Sequence, residues 1–405
     1  MKIGIVSPYF YPWYGGITEH VYHQYMELKK RGHTVKMISP FDGGERVADK
    51  SDIIKLGNPV PLIVNGSVVK IPILGRSKKA IDKIITREQF DLLHLHQPLF
   101  CLLGISFLQR IIQRQKKGLP VPKIAGTFHA CGGATERFLI NRIGLFFKKF
   151  RNQFDAKIAV SIASRDFVLP VLPGNYDIIA NGVDIERFSN HPSTIPEYND
   201  GVCNILFVGR LEPRKGLTSL LQSLSFIKKY TDKKFRLIVV GNGVLTNFYK
   251  QKIPPCCVDN VCFVGDVSFN DLPSYYKSAQ IFCSPATDRE SFGIVLIEAM
   301  ASGVPIVAAN NDGYRKVIKD EVNGLLVDPE NPEALAKSLA RLIGSERDRT
   351  KLSKQGKLDC VEYSWMNIVD KLECIYNNVL SQSLSSNIET KSGKKTNAQK
   401  KYVYR

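Results

Sequence analysis

Three short stretches carry residue types that can do chemistry. The first is Tyr14-Gly15-Gly16-Ile17. Two glycines let the backbone approach a ligand closely, and free amides at the start of a following helix favour an anion such as a diphosphate. A plain tight turn explains the pair equally well. The third glycine of a dinucleotide fingerprint is missing here and at Gly241-Asn-Gly243, which argues against a nicotinamide enzyme. The second stretch, Gly209-Arg210-Leu-Glu-Pro-Arg214-Lys215-Gly216, concentrates three cations on a glycine-bounded turn. Arginine offers phosphate oxygens a planar fork and lysine a point charge, so the turn suits a nucleotide diphosphate; standing alone, it reads as solvated surface charge. The third is Arg289-Glu290-Ser291-Phe292-Gly293-Ile294-Val-Leu-Ile-Glu298-Ala-Met300. Glu290 belongs at a helix N-terminus, where a carboxylate is favoured. Glu298 falls two turns along an otherwise apolar helix, where an unpartnered acid costs on the order of several kcal/mol. A ribose diol would supply the missing hydrogen bonds.

Such loops work only where strands and helices present them, beyond the carboxyl ends of a parallel sheet. The apolar patterning predicts strands at 2–7, 34–39, 90–95, 123–128, 156–160 and 178–180, with helical stretches at 17–31, 77–87, 103–113 and 138–150 between them. The alternation then restarts, with strands at 204–208, 235–240, 261–264, 281–284, 306–308 and 324–327 and a helix at 217–229. Alternating strands and helices imply an α/β class of two doubly wound, Rossmann-like domains facing each other across a cleft. The polar stretch 189–201 is the natural linker. The expected division is 1–190, 191–362, a C-terminal helix at 363–382 crossing back to the first domain, and a disordered basic tail at 383–405.

Composition narrows the class further. The 405 residues carry 56 Lys plus Arg against 38 Asp plus Glu, and the excess is uneven: +12 over 1–190, +1 over 191–382 and +5 in the last 23 residues. No segment approaches the ~20 consecutive apolar residues of a membrane-spanning helix. Nine cysteines, an odd count without a Cys-x-x-Cys pair, read as free thiols in a reducing compartment. The seven histidines do not cluster near the cysteines, so no metal site is expected; His94-Leu-His96 is the one close pair, and strand alternation puts both rings on one face, the one place where a metal is conceivable. Charge alone admits a nucleic-acid partner, but no recognition motif is present and the basic residues alternate with large aliphatics, so none is expected.

Taken together, Glu290 to Met300, Gly209 to Gly216 and Asn181-Gly-Val-Asp184 resemble the retaining family-4 glycosyltransferases of GT-B fold, over about residues 1–380. Within that family the N-terminal half is most similar to phosphatidylinositol α-mannosyltransferases, through Pro8-Tyr9, Gly15-Gly16, His20-Val21, Asn65-Gly-Ser-Val68, Asp91 to His96 and Thr127-Phe-His129. The resemblance implies a nucleotide-sugar donor, GDP-mannose, and no tightly bound cofactor; it supplies no protein cage for a divalent ion. It implies a donor site of Gly16, Arg210, Lys215, Glu290, Ser291, Phe292, Gly293, Ile294, Glu298 and Val267. Catalytic roles fall to His129, Glu290, Arg210 and Lys215, and acceptor contacts to Tyr9, Thr18, Asn65 and Gln97. A histidine after a strand is, by sequence alone, as readily structural.

The chain departs from those relatives at Thr18, Gln97, Ser268 and Phe269, where they carry Gln, Glu and two acids, which leaves inositol and guanine open. The matching segment of the relatives binds membranes. Here Arg76, Lys78, Lys79, Lys83 and Arg87 surround Ala80, Ile81, Ile84 and Ile85, a pattern shared by helices lying on an anionic bilayer and by ordinary amphipathic surface helices. The expectation is a peripheral enzyme on the cytoplasmic face of the cell membrane, acting on an anionic lipid. The alternative is a GDP- or UDP-sugar transferase with a soluble or polysaccharide-precursor acceptor.

Overall fold

The computed structural model describes residues 1–47, 49–64, 67–73, 77–132, 142, 144–190, 193–287 and 290–399. The first sheet contains β1 (Lys2–Val6), β2 (Thr34–Ser39), β3 (Ile53–Lys55), β6 (Leu92–His96), β7 (Lys123–Phe128), β8 (Ala156–Ala159) and β9 (Asp177–Ile178), in the order β3-β2-β1-β6-β7-β8-β9. Between β3 and β6 an antiparallel hairpin pairs β4 (Asn58–Val64) with β5 (Ser67–Ile73). The second sheet runs β12-β11-β10-β13-β14-β15, built from β10 (Cys203–Val208), β11 (Phe235–Val240), β12 (Val261–Gly265), β13 (Ile281–Ser284), β14 (Ile306–Ala309) and β15 (Leu325–Val327). Every pairing within the two large sheets is parallel.

Both sheets are covered on both faces, which is why their central strands read as nearly unbroken apolar runs. One face of the first sheet packs Ile81, Ile85, Phe107 and Ile111 from crossover helices. The other packs the Gly16–Lys30 helix through Val21, Tyr25 and Leu28. Onto that same face comes the C-terminal helix Trp365–Gln399, through Trp365, Ile368, Val369, Leu372 and Tyr376 at helical spacing. The chain end therefore belongs to the first core although it follows the second domain.

Three details differ from the sequence reading. The β4–β5 hairpin is absent from it because Pro59, Pro61 and Pro72 read as strand breakers, while the strands they interrupt pair only with each other and so tolerate missing amide donors. The Ile185–Ser189 helix lies before the expected boundary at 190 but sends Phe188 into the second core beside Leu296 and Tyr276. The chain thus changes core between Ile179 and Val183. The C-terminal helix continues past 382 to Gln399, across a stretch with no proline and a single glycine, Gly393.

Candidate active site

β10 and β13 are neighbours, with Ile205 opposite Ile281, so the two chemistry-bearing loops of the second domain emerge side by side. They are pinned together by the Thr287 N–H, which donates to the Arg214 carbonyl at 2.9 Å. Gly216 makes the fit: its φ is +72°, and a Cβ there would run into the Pro285 carbonyl oxygen. The result is a charge network. Lys215 Nζ donates to Glu290 Oε1 at 2.6 Å, and Arg214 Nη1 reaches the same oxygen. Arg214 Nε also donates to Glu212 Oε2 at 2.8 Å, and Arg210 pairs with Glu212 Oε1 at 2.9 Å while staying 58% exposed. Burial pushes the Glu290 carboxyl up, but Lys215 and Arg214 together outweigh it and hold the acid below its usual range. The sequence reading singles out Arg210 and Lys215; the more central cation is Arg214. Only the fold of the turn separates these three neighbours.

Ile294–Ser302 is a helix whose N-cap, Gly293, has φ +91°. Phe292 is buried against Tyr363, so it can offer a ligand only its backbone. Ser291 is half-buried. Glu298 accepts a hydrogen bond from the Tyr276 hydroxyl at 2.8 Å, and burial raises its pKa to about 7 against the pull of Tyr276 and Arg187. Val267, just past β12, packs on the edge of the second core.

The first domain meets these loops closely. A Cβ on Gly16 would lie 2.9 Å from Ile294 Cδ1, which puts the start of one domain's first helix against the start of the other domain's site helix. Tyr9 is half-buried, with its phenol pushed up by burial and the Cys101 thiol, and drawn down by Arg210 across the cleft. A second bridge is Phe269, whose ring lies between the guanidinium of Arg187 (3.3 Å to the centroid) and that of Arg46 from the first domain (3.7 Å).

Two expected acceptor residues have other partners. Thr18 is buried, and its hydroxyl donates to the Trp13 carbonyl at 2.7 Å, holding the loop before the helix. Gln97 is buried with φ +54°, and its side-chain oxygen accepts from the His129 N–H at 2.8 Å. It positions His129 from behind. Asn65 lies outside the described residues.

Three histidines that lie far apart in the sequence meet in the first domain. His20, His96 and His129 come together, all buried, with one ring nitrogen of each within 4.8 Å of those of the others. Parallel register places His96 at the end of β6 beside Thr127 of β7, two residues before His129, and the Gly16–Lys30 helix lays His20 over both. His94 takes no part in the trio; it hydrogen-bonds Thr127 and Tyr376 and stacks on His96. No sequence spacing signals a set drawn from three separate elements.

The membrane expectation changes too. On the Ser77–Glu88 helix Lys79 and Lys83 are exposed, but Ile81 and Ile85 are buried in the first core, because the stripe that reads as lipid-facing is the one the helix needs to pack. Arg76 and the side chain of Lys78 lie outside the described residues. Apolar exposure appears instead at Leu145 (72%) and Phe146 (49%), with Lys149 Nζ 4.0 Å from the Phe146 ring. Among the described residues no helix is long and apolar enough to cross a membrane.

Comparison with known proteins agrees with this architecture. Residues 14–187 match the Glycosyltransferase Family 4 model and 196–359 match Glycosyl transferases group 1. The phosphatidyl-myo-inositol mannosyltransferase of Mycobacterium leprae is 28% identical over 380 residues, covering 94% of this chain and 97% of its own. That of Propionibacterium freudenreichii is also 28% identical, over 93% and 94%. Among solved structures, a Rickettsia africae glycosyltransferase superposes with a TM-score of 0.71 at 22% identity, covering 94% of this chain and 98% of that one. An Anabaena protein in complex with UDP-glucose gives 0.67 at 18%, covering 95% and 100%. The chain is a glycosyltransferase of GT-B fold, its halves belonging to glycosyltransferase family 4 and to the group 1 glycosyl transferases.

Proposed function

We propose that the enzyme moves a mannosyl group from GDP-mannose, with retained configuration, to a phosphatidylinositol-like lipid, working as a peripheral protein on the cytoplasmic face of the cell membrane. The observation that carries the reading is the pairing of a buried Glu290 with Lys215 and Arg214 at the loop junction facing Gly16. Relatives named for phosphatidyl-myo-inositol mannosyl transfer align along nearly the whole chain and give the reading its substrate.

In this reading Arg210 and Lys215 take the leaving diphosphate, the Gly16 amide closes over it, and the amides of Phe292, Gly293 and Ile294 complete the cradle. Glu290 and Ser291 bind sugar hydroxyls, His129 meets the sugar from the first domain, Glu298 takes the ribose, and Val267 borders the base. No side chain is placed as a nucleophile. The bond from the anomeric carbon to the phosphate oxygen breaks as the acceptor oxygen approaches on the same face. The departing phosphate oxygen accepts the acceptor's proton, so charge stabilisation and positioning supply the rate. Tyr9 stands on the acceptor side.

The lipid part rests on the basic first domain, on exposed Lys79 and Lys83, and on exposed Leu145 and Phe146 beside Lys149. Each cation near an anionic surface contributes about 1 kcal/mol. Flotation with phosphatidylserine or phosphatidylinositol vesicles tests this: binding should fall when Lys79 and Lys83 are reversed to Glu, and again when Leu145 and Phe146 become Ser. Absence of binding by the unaltered protein sinks the lipid reading. A second reading, a UDP-sugar donor with a soluble acceptor, is favoured by Phe269 in place of an acid near the base and by the UDP-glucose complex of the Anabaena neighbour. Calorimetry with GDP- and UDP-sugars decides between the donors.

A further inference from the structure

We infer that His96 is a positioning residue for His129: by hydrogen-bonding the His129 ring it fixes the proton of that ring on Nδ1, so that His129 meets the sugar as an N–H donor. The inference rests on the proposed function only in placing His129 beside the transferred sugar. His96 Nδ1 and His129 Nε2 are 2.9 Å apart. The two rings lie 27° from coplanar with centroids 5.2 Å apart, an arrangement that suits an N–H···N bond in the ring planes. Burial lowers the pKa of both rings, so each is neutral and carries one proton. One ring must therefore donate and the other accept.

The far side of His96 decides which ring donates. His96 is 1% exposed, and its Nε2 has no hydrogen-bond partner among the described residues. If His129 donated, the His96 proton would sit on Nε2 as a buried N–H with nothing to accept it, and orphaned buried donors are rarer than orphaned acceptors. His96 Nδ1–H is therefore the donor and His129 Nε2 the acceptor. With Nε2 spent on His96, Nδ1 is the ring nitrogen that His129 has left for a ligand, and it can only donate. The surroundings hold this geometry. His94, tied to Thr127, stacks on His96 at 4.4 Å, and His20 packs edge-on against His129 at 4.9 Å. The residue after His96 grips the same target: Gln97 accepts from the His129 N–H at 2.8 Å and donates its own N–H to the Thr127 carbonyl at 2.8 Å. Gln97 does so at φ +54°, a conformation that a non-glycine residue keeps only where its surroundings hold it there. Two consecutive residues thus fix the ring and the backbone of one histidine.

Histidine-selective ¹⁵N labelling of the full-length protein reads the tautomer directly, through couplings between ring nitrogens and carbon-bound ring protons. Each of the seven histidines is assigned by the signal that its own substitution removes. The expected spectrum shows His129 protonated on Nδ1 and bare on Nε2. His96→Asn, whose side-chain amide can stand where Nδ1–H stood, should keep that pattern, and His96→Leu should lose it. His129 protonated on Nε2 in the wild-type protein overturns the inference, as does an unchanged His129 signal in folded His96→Leu. Calorimetry with GDP-mannose against GDP, and with UDP-glucose against UDP, then separates the sugar contact from the nucleotide contact. His129→Ala and His96→Leu should each weaken nucleotide-sugar binding about tenfold while nucleotide binding stays within about twofold, and His96→Asn should recover most of the loss. A loss in His129→Ala without one in His96→Leu overturns the positioning role. No loss in His129→Ala with either pair removes His129 from the sugar, which counts against the proposed function, while the tautomer spectrum still decides the His96 bond. If His96→Leu fails to fold, the wild-type and His96→Asn spectra decide it.

Discussion

Lys215 Nζ and Glu290 Oε1 are 2.6 Å apart, although 75 residues of chain separate them. The contact closes a loop junction that neither strand end would form alone. Glu290 is 9% exposed and Lys215 16%, so the pair is shielded from the solvent that weakens surface ion pairs. Glu290→Ala should abolish transfer, by at least about 100-fold in kcat, and should destabilise the protein by about 2 kcal/mol because Lys215 and Arg214 lose their shared partner. Turnover and thermal melts of the purified variant check both; near-normal turnover removes Glu290 from the site.

Arg210 and Arg214 should separate under mutation. Arg210 is largely exposed and touches only Glu212 within the network, so Arg210→Ala should change stability by less than about 0.5 kcal/mol while weakening nucleotide-sugar affinity about tenfold. Arg214 bonds both Glu212 and Glu290, and Arg214→Ala should lower stability and affinity together. Denaturation midpoints read beside calorimetric Kd values distinguish the two; equal stability losses would contradict the network.

Glu298 makes the pH response of the second domain predictable. Its pKa is about 7 in the folded protein against an ordinary 4.5, so the folded state holds a proton that the unfolded state has released. Stability should therefore fall as pH rises from about 4.5 to about 7 and level off above, with a span of about 1–2 kcal/mol after allowance for partial solvent access. The groups facing it are Tyr276, Arg187 and Glu19. Glu298→Gln should remove that span in urea melts at pH 5 and 8, and a variant with the wild-type slope would show that the dependence lies elsewhere.

Gly16 and Ile294 should be coupled across the cleft. A methyl at position 16 falls 2.9 Å from Ile294 Cδ1, the end of a flexible side chain, so Gly16→Val should impair transfer more than Gly16→Ala. Ile294→Ala should restore part of the Gly16→Ala loss. A double-mutant cycle on kcat/KM reads this directly, with a coupling of about 0.5–2 kcal/mol expected and strict additivity counting against the contact.

Much of this protein follows from its sequence alone. Period-two and continuous apolar runs mark β1, β6, β7, β10, β11 and β13, since a parallel sheet covered on both faces leaves few polar positions in its central strands. The glycine-bounded cation turn and the Glu290 to Met300 run announce the second domain's loops because their chemistry is local, written within about eleven consecutive residues. Tertiary structure decided what depends on distance across the chain. It put Arg214 rather than Arg210 at the centre of the charge network, turned Thr18 and Gln97 to backbone partners, and spent the Ile81 and Ile85 stripe on the protein's own core. It also gathered His20, His96 and His129 from a helix, a strand and the loop that follows the next strand. Sequence patterns report which face of an element is apolar; which element covers that face, and which lone pairs are left beneath it, depends on register and crossover.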